Sequence, residues 1–472
     1  MEALYFSEIV EAVDGQTLSG GKNVRVTGVS TDSRTVQTGD IFFALQGERV
    51  DGHRYVVPAV KSGAVCAVVS CSENIDWGEV HFPLIRVKET VTALGDLARY
   101  YRKKLPTRII AITGSNGKTT TKEMTYHVLS HFGSGVRSQK SFNNYIGVPV
   151  SIFEIENKHQ YGILEMGTNA PGEIRRLSEI GAPEVAVILN VSQTHLEGLG
   201  SIEGVASAKG EILENLSREG AFVYNADNLW CVRIADGFKG KKVSFGFSPH
   251  AQIRCTNAKK EGAGYRLVIN ERLEMYLPVP GYHNINNCLA SFAVCHALGH
   301  DIYQPKEVFS SFRLPHMRIE HQRMGNITFI NDAYNANPES VRAALDYLKE
   351  IDVKGRKVFI CGDMLELGTK AVQFHREIGE RVAGLGIDAL WTVGKYAAEI
   401  AKAAKLAGMP ERCVLSFQDV ADITVSEMNE FREDDTVLIK GSRGMHMEKI
   451  IEKYKMARKG CIHSTSDALI GI

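Results

Sequence analysis

In the stretch Ile109-Ile110-Ala111-Ile112-Thr113-Gly114-Ser115-Asn116-Gly117-Lys118-Thr119-Thr120, an apolar run leads into a glycine turn, and a lysine and two hydroxyls then open a helical pattern. Such a turn aims backbone N–H groups and a helix N-terminus at a phosphate. The lysine reaches terminal phosphates, and the hydroxyl after it can bind Mg²⁺. Nucleoside triphosphate chemistry is therefore the first hypothesis. The general phosphate-loop pattern also requires a glycine where this chain has Ile112, so the loop is a shortened variant.

Other candidate side chains stand at the ends of apolar runs. In open α/β sheets the ligand crevice lies beyond the carboxyl ends of the strands. Thr119 follows one such run, Glu165 ends another, and His195 lies just past a third in Asn190-Val191-Ser192-Gln193-Thr194-His195. A hydroxyl, a carboxylate and an imidazole brought to one edge could hold metal ions against phosphates. Mg²⁺ prefers oxygen, so His195 points to a second, less demanding metal position. The alternatives are a turn cap for Glu165 and a surface loop for His195.

Lys209, in Ala206-Ser207-Ala208-Lys209-Gly210-Glu211-Ile212, reads on its own as a solvated helix lysine. Asn284 and Asn287, in Gly281-Tyr282-His283-Asn284-Ile285-Asn286-Asn287, lie on a turn entering a helix. An amide there could present donor and acceptor to an adenine edge, while the local pattern favours helix capping by Asn284. Arg318 and Asn331-Asp332-Ala333-Tyr334-Asn335-Ala336-Asn337-Pro338 fall near the start of a later block. Lys440-Gly441-Ser442-Arg443-Gly444 follows that block's last strand. A basic residue beside two glycines suits an anion such as a substrate carboxylate, with a solvated turn as the alternative.

Three blocks must position these residues. The first, 1–84, mixes short strands with turns and holds Ser30, Asp32 and Ser33 in Val29-Ser30-Thr31-Asp32-Ser33-Arg34, then a strand at Ala64–Ser70. The second, 85–313, opens on a helix from Val91 to Lys104, with apolar positions at Leu94, Leu97, Ala98 and Tyr101, which Pro106 ends. Apolar runs at Gly162–Met166, Val185–Val191 and Ala221–Asn225 alternate with helical patterns, which implies a mostly parallel sheet. A β-rich portion follows at about 243–280, then a helix from Asn286 to Leu298.

In the third block, 314–472, strands are expected at Ile327–Asn331, Lys357–Cys361, Ala389–Val393, Val414–Phe417 and Thr436–Ile439. Helices are expected at Pro338–Lys349, Val372–Ala383, Ala397–Ala407 and Val420–Phe431. The expected fold is thus α/β in three domains. These are a small mixed α/β N-terminal domain, a central P-loop, mostly parallel α/β domain with a β-rich portion, and a C-terminal Rossmann-like α/β domain. The tail after Lys459 lacks periodicity and is expected to be loosely held.

Composition narrows the function classes. The 55 basic and 55 acidic residues cancel, so overall charge gives no argument for a nucleic acid or an anionic membrane as partner. Nine cysteines, with no CxxC pair, read as reduced thiols of a cytoplasmic protein rather than a disulfide framework. No signal peptide is evident, and no apolar stretch approaches the roughly 20 residues of a membrane span.

Taken together and in this order, the motifs resemble the Mur ligase family, ATP-dependent amide-bond ligases that build the peptide stem of bacterial peptidoglycan. The resemblance runs from Ser30-Thr31-Asp32-Ser33-Arg34 to Lys440-Gly441-Ser442-Arg443. Four stretches are most similar to the branch that joins D-alanyl-D-alanine to UDP-N-acetylmuramoyl-tripeptide: Asn143-Asn144-Tyr145-Ile146-Gly147-Val148-Pro149, Glu165-Met166-Gly167-Thr168-Asn169, the run around Asp332, and Cys361-Gly362-Asp363-Met364-Leu365-Glu366-Leu367-Gly368. The Asp-Asn-Pro-Arg tetrapeptide of the sister enzymes that add the third stem residue does not occur.

The resemblance implies ATP held by Gly114, Ser115, Asn116, Gly117, Lys118, Thr119 and Thr120, with Asn284 and Asn287 on adenine. Arg318 and Asp332 would reach the phosphates and ribose. Thr119 and Glu165 would ligate Mg²⁺, with His195 serving a second Mg²⁺. Lys209 would be carbamylated, because an ammonium beside Mg²⁺ is repelled whereas a carbamate adds two oxygen ligands. Substrate contacts would come from Ser30, Asp32, Ser33, Asn143, Asn144, Asn335, Asn337 and Lys440. Catalysis would rest on Lys118, His195, Lys209 and Arg318, in a monomer. The alternatives are a Mur-type ligase of another stem-peptide step, a P-loop NTPase without ligase activity, or a non-catalytic binding module.

Overall fold

The computed structural model describes residues 1–21, 23–47, 50–70, 82–304 and 307–466, with backbone only over 459–466. It forms two compact units. The first comprises 1–190, 206–254 and 288–306, and the second 191–205, 255–287 and 307–472.

Two larger sheets, beside the short antiparallel pair Leu4–Tyr5 and Arg25–Val26, build the first unit. In the N-terminal one, the strands Gly28–Ser30, Asp40–Phe43, Cys66–Ser70 and Leu84–Val87 lie parallel, and Gln16–Ser19 adds antiparallel to the last. Leu84–Val87 straddles the boundary expected at 84. The helix Thr90–Lys103 follows. The Glu89 carboxylate caps it by accepting the Val91 N–H (2.8 Å) and the Thr92 N–H (2.5 Å).

In the second sheet of this unit, Arg108–Thr113 lies centrally, parallel to Tyr161–Glu165 on one side and Val185–Ile188 on the other. Gly135–Arg137 extends one edge, and Ala221–Asn225 and Lys241–Gly246 extend the other. The chain reverses direction across the sheet at the central strand, which makes its carboxyl end a topological switch point. Ile109, Ile110, Ala111, Ile112, Ile163, Val187 and Ile188 are all fully buried there, as expected of strands covered on both faces.

The second unit holds the antiparallel strands of the β-rich portion, which pair through Gly264–Ile269 and Leu273–Leu277, and a six-stranded sheet. That sheet runs Glu320–Met324, Ile327–Asn331, Thr436–Lys440, Lys357–Gly362, Ala389–Val393, Val414–Phe417; only the first pair is antiparallel. The last strand in sequence, Thr436–Lys440, is inserted between Ile327–Asn331 and Lys357–Gly362. Below it Trp391 stacks on Phe431 at 4.7 Å, and Phe329 packs against Tyr454. Each such buried side chain contributes about 1.5–3 kcal/mol.

Three expectations change. The helix expected over Val420–Phe431 is two short pieces, Val420–Asp422 and Val425–Met428. Asp419 and Thr424 each cap a new start by accepting backbone N–H groups, which interrupts a continuous helix. The helix expected from Asn286 begins earlier, at His283. The helix Lys449–Ser466 runs past Lys459, although the sequence there lacks periodicity, and 467–472 lie outside the described residues.

The helices Ala371–Gly384 and Ala397–Leu406 touch through Gly379, where an added Cβ would meet the Ile400 carbonyl oxygen at 2.3 Å. Gly379→Ala should therefore destabilise by about 1–3 kcal/mol. Gly384→Ala, which meets nothing within 4 Å, should be neutral or gain up to about 1 kcal/mol. Equal melting shifts for the two variants would reject this packing.

Candidate functional site

At the switch point of the first unit, the chain leaves the Arg108–Thr113 strand and turns through Gly114 to Gly117. Gly117 adopts φ 86°, which glycine tolerates without a Cβ clash, and the helix Lys118–Leu129 starts immediately after it. Asn190 holds the turn in place. Its carbonyl accepts the Ser115 N–H (3.0 Å), its Oδ1 accepts the Asn116 N–H (2.8 Å), and its Nδ2 donates to the Asn116 carbonyl (3.2 Å). Lys118 Nζ donates to the Gly114 carbonyl (2.8 Å). Thr119 and Thr120 are buried in the first helical turn. Ile112 stays inside the sheet, paired with Glu165 and Val187 on its two sides.

Glu165 is buried at the end of the neighbouring strand. Asn143 Nδ2 donates to Glu165 Oε1 (2.9 Å), while Oε2 accepts no hydrogen bond. Lys122 stands 3.7 Å from that oxygen. This lysine is fully buried, donates to the Lys140 carbonyl and lies 3.5 Å from Glu123. Burial pushes its pKa down, and Glu165 and Glu123 oppose that shift. Asn144 accepts the Gly147 N–H (2.9 Å) and so starts the helix that follows.

Lys209 is not a solvated helix lysine. It is 2% exposed. Burial drives its pKa well below the usual lysine range, and the positive charge of Lys118 pushes it the same way. Further along the unit, Ser30 donates to the Asp32 carbonyl (2.9 Å), and Asp32 pairs with Arg34 (2.6 Å). The Arg34 hydrogen bonds hold the Asp32 carboxyl down at about 2. Ser33 is half-buried in the same turn.

The second unit gathers the other candidates. Asn284 does not cap its helix: it lies inside the first turn, where its Nδ2 donates to the Pro280 carbonyl (2.7 Å) and its Oδ1 accepts from Asn287 Nδ2 (2.9 Å). The neighbouring His283 keeps solvent access, yet the protein packed around it pushes its pKa to about 4. Asp332 opposes that shift, and Lys440 and Arg318 reinforce it. Asp332 Oδ1 accepts the Ile319 N–H (3.3 Å) and Oδ2 accepts from Lys440 Nζ (2.6 Å). Lys440, expected as an anion-binding turn residue, is buried and also donates to the Asn335 carbonyl (3.0 Å). Arg318 lies over the Tyr334 ring at 4.4 Å. Asn337 caps the helix Pro338–Glu350 by accepting the Ser340 N–H (2.9 Å). His195 has φ 53°, and its Nδ1 lies 2.5 Å from Glu366 Oε2.

Three family models match in succession: "Mur ligase family, catalytic domain" over 25–102, "Mur ligase middle domain" over 112–295, and "Mur ligase, glutamate ligase domain" over 317–443. The UDP-N-acetylmuramoyl-tripeptide–D-alanyl-D-alanine ligase of Bacillus subtilis is 34% identical, over 90% of this chain and 93% of its own. The Escherichia coli ligase of the same name is 33% identical, over 96% and 98%. The chain belongs to the Mur ligase family. Among solved structures, MurF from Acinetobacter baumannii superposes with a TM-score of 0.85 at 29% identity, covering 96% of this chain and 99% of that one. MurF from Thermotoga maritima in complex with ADP gives 0.78 at 26%, covering 92% and 98%.

Sequence reading of this Mur ligase missed three residues: Asn190, Lys122 and Glu366. Asn190 is the polar residue near the end of the apolar run Val185–Val191, and that position was its signal. Lys122 carries none, because a lysine four residues into a helix normally points to solvent. Glu366 lies inside a quoted motif without any local chemistry that would single it out.

Two outcomes follow for this Mur ligase. Lys122→Met leaves the Glu165 carboxylate buried without its cation and should cost about 3 kcal/mol in denaturant unfolding, with Glu165→Gln in the same chain recovering part of the loss. No recovery would show that the pair is not coupled. His375 is fully buried, accepts the Met364 N–H on Nε2 (3.0 Å) and is held below the usual histidine pKa by burial. Its stabilising contribution is present above about pH 6.5 and is lost as pH falls toward the depressed folded value. The melting temperature should therefore fall more steeply below pH 6.5 than in His375→Gln; equal slopes would refute this.

Proposed function

We propose that this Mur ligase joins D-alanyl-D-alanine to UDP-N-acetylmuramoyl-tripeptide, using ATP and giving the UDP-muramoyl-pentapeptide, ADP and phosphate. The observation that carries the reading is a fully buried lysine, Lys209, whose pKa is pushed well down by burial and by the charge of Lys118, the lysine of the glycine turn. Near full-length likeness to ligases of that name supports the choice of substrates. The tripeptide carboxylate attacks the γ-phosphate to form an acyl phosphate. The free amine of the dipeptide then attacks that carbonyl, and phosphate leaves.

Phosphoryl transfer to an anion needs charge neutralisation and alignment more than covalent help. Lys118 and the N–H groups of Gly114 to Thr120 hold the phosphates, with Arg318 adding charge. Asn284 and Asn287 hold adenine. Mg²⁺, when bound, neutralises phosphate charge. The donor set fits it: Glu165 Oε2 is a buried hard oxygen that accepts no hydrogen bond, and the Thr119 hydroxyl opens the adjacent helix. Among the described residues no three His, Cys, Asp or Glu side chains converge as a preformed cage. Phosphate oxygens would complete the shell, as is usual for Mg²⁺.

A second Mg²⁺ falls to His195. Lys209 contributes as a carbamate. Its neutral amine attacks CO₂, a C–N bond forms and a proton is released, so a repelled cation becomes a two-oxygen anion. Asn143 orients Glu165. Ser30, Asp32, Ser33, Asn144, Asn335, Asn337 and Lys440 shape the sites for the two substrates, Asp332 by holding Lys440 and the segment around Arg318. Closure over the substrates excludes water from the acyl phosphate. Among the described residues no helix is long and apolar enough to cross a membrane. The reading places the enzyme in the cytoplasm as a monomer, since ATP is supplied there and one chain provides every group used.

The test is phosphate release by the full chain with ATP, UDP-N-acetylmuramoyl-tripeptide and a panel of D-dipeptides. Release should require both substrates. Lys209→Ala should lose roughly a hundredfold or more and regain part of it with formate or acetate. ATP turnover without the dipeptide would refute amide ligation, and near wild-type turnover in Lys209→Ala would refute the carbamate.

A further inference from the structure

His195 and Glu366 meet in an arrangement that neither backbone adopts by default. Both are non-glycine residues at positive φ, 53° and 62°. Such conformations are strained and persist where the surroundings over-determine them. Here the surroundings do so. The Glu366 carbonyl accepts the Glu197 N–H (3.2 Å), so backbone as well as side chain joins the two segments. The loop bearing Glu366 is held on two further sides, by the Met364 N–H on His375 Nε2 (3.0 Å) and by the Leu365 N–H on Ser442 Oγ (2.9 Å). The Ser442 N–H in turn donates to the Asp363 carbonyl (3.0 Å).

Glu366 Oε2 lies 2.5 Å from His195 Nδ1. A carboxylate on Nδ1 keeps the proton on that nitrogen. The lone pair of the ring then sits on Nε2, the state in which a histidine ligates a metal. We infer that Glu366 is a positioning residue for His195, fixing its tautomer and ring plane so that Nε2 is presented to a divalent cation. This rests on the metal role proposed above for His195. His195 falls in the segment matched by the middle-domain family model and Glu366 in the one matched by the glutamate ligase domain model, and both belong to the second unit. The C-terminal sheet therefore supplies the group that readies this ligand.

The experiment is Mn²⁺ binding to the full-length protein with ADP present, read from the electron paramagnetic resonance of free Mn²⁺. Glu366→Ala should weaken the histidine-dependent Mn²⁺ site by about 10–100-fold. Glu366→Gln, which keeps an acceptor oxygen on Nδ1, should recover part of that loss. Within His195→Ala, adding Glu366→Ala should change affinity less than about twofold, the near-zero remainder expected when one residue acts only through the other. Loss of affinity in His195→Ala together with wild-type affinity in Glu366→Ala would overturn the inference alone. Wild-type affinity in His195→Ala would overturn the metal reading beneath it. Additive losses would overturn the claim that Glu366 acts through His195.

Discussion

Two lysines cannot both stay charged in a buried site without an anion between them, and the glycine-turn end of the first unit is arranged around that constraint. Burial costs an ammonium several kcal/mol of hydration. Lys122 and Lys209 are both buried, but they meet the cost differently. Lys122 keeps company with Glu165, Glu123 and a backbone carbonyl, groups that favour its charged form. Lys209 feels Lys118, which adds to the effect of burial, so its neutral form is favoured. One lysine is thus paired with the Glu165 carboxylate, and the other is pushed toward its neutral amine. The chemistry proposed for the site follows from which partner each lysine has, not from residue type.

The second unit applies the same economy to an ion pair. Its last strand in sequence is inserted between earlier ones, so Lys440 emerges beside Asp332 although 108 residues separate them. A lysine that stays charged when buried requires an anion, and Asp332 provides it for Lys440 while also accepting the Ile319 N–H. That holds the segment carrying Arg318, whose backbone has positive φ on either side at Met317 and Ile319. Asp332 therefore works first as a fastening, and Arg318 is the side chain that the fastening presents.

The legible and illegible parts of the sequence divide along physical lines. Strands such as Ala389–Val393 were readable to the residue, because burial on both faces demands a mainly apolar run. The Val420–Phe431 segment was not. Its helical spacing is real, but Asp419 and Thr424 compete for backbone N–H groups and restart the chain twice. Among site residues, Lys118, Thr119 and Glu165 were legible because a strand end fixes where they lie. Lys209 and Lys440 looked like ordinary solvated or turn residues, since burial is a tertiary property that no local pattern reports. For Asn284 the local pattern favoured a cap, and the structure puts it inside the first turn instead, because a first-turn amide and a capping amide have the same sequence neighbourhood. Glu366 was invisible because its partner lies 171 residues away.

Ile112 settles how the phosphate turn manages without the extra glycine of the general pattern. A longer loop uses that glycine to wrap its own backbone around a phosphate. In this chain the position is still strand, fully buried and hydrogen-bonded into its neighbours: the Met166 N–H donates to the Ile112 carbonyl (2.9 Å). A glycine there would weaken the strand and place nothing in the turn. The turn proper is only Gly114 to Gly117, too short to brace itself, and the bracing comes from outside. Asn190, at the end of the adjacent parallel strand, uses its carbonyl, its side-chain oxygen and its side-chain nitrogen on Ser115 and Asn116. The shortened loop is therefore a two-strand device. Its shape depends on the register that sets Ile188 beside Thr113, because that register delivers Asn190 to the turn.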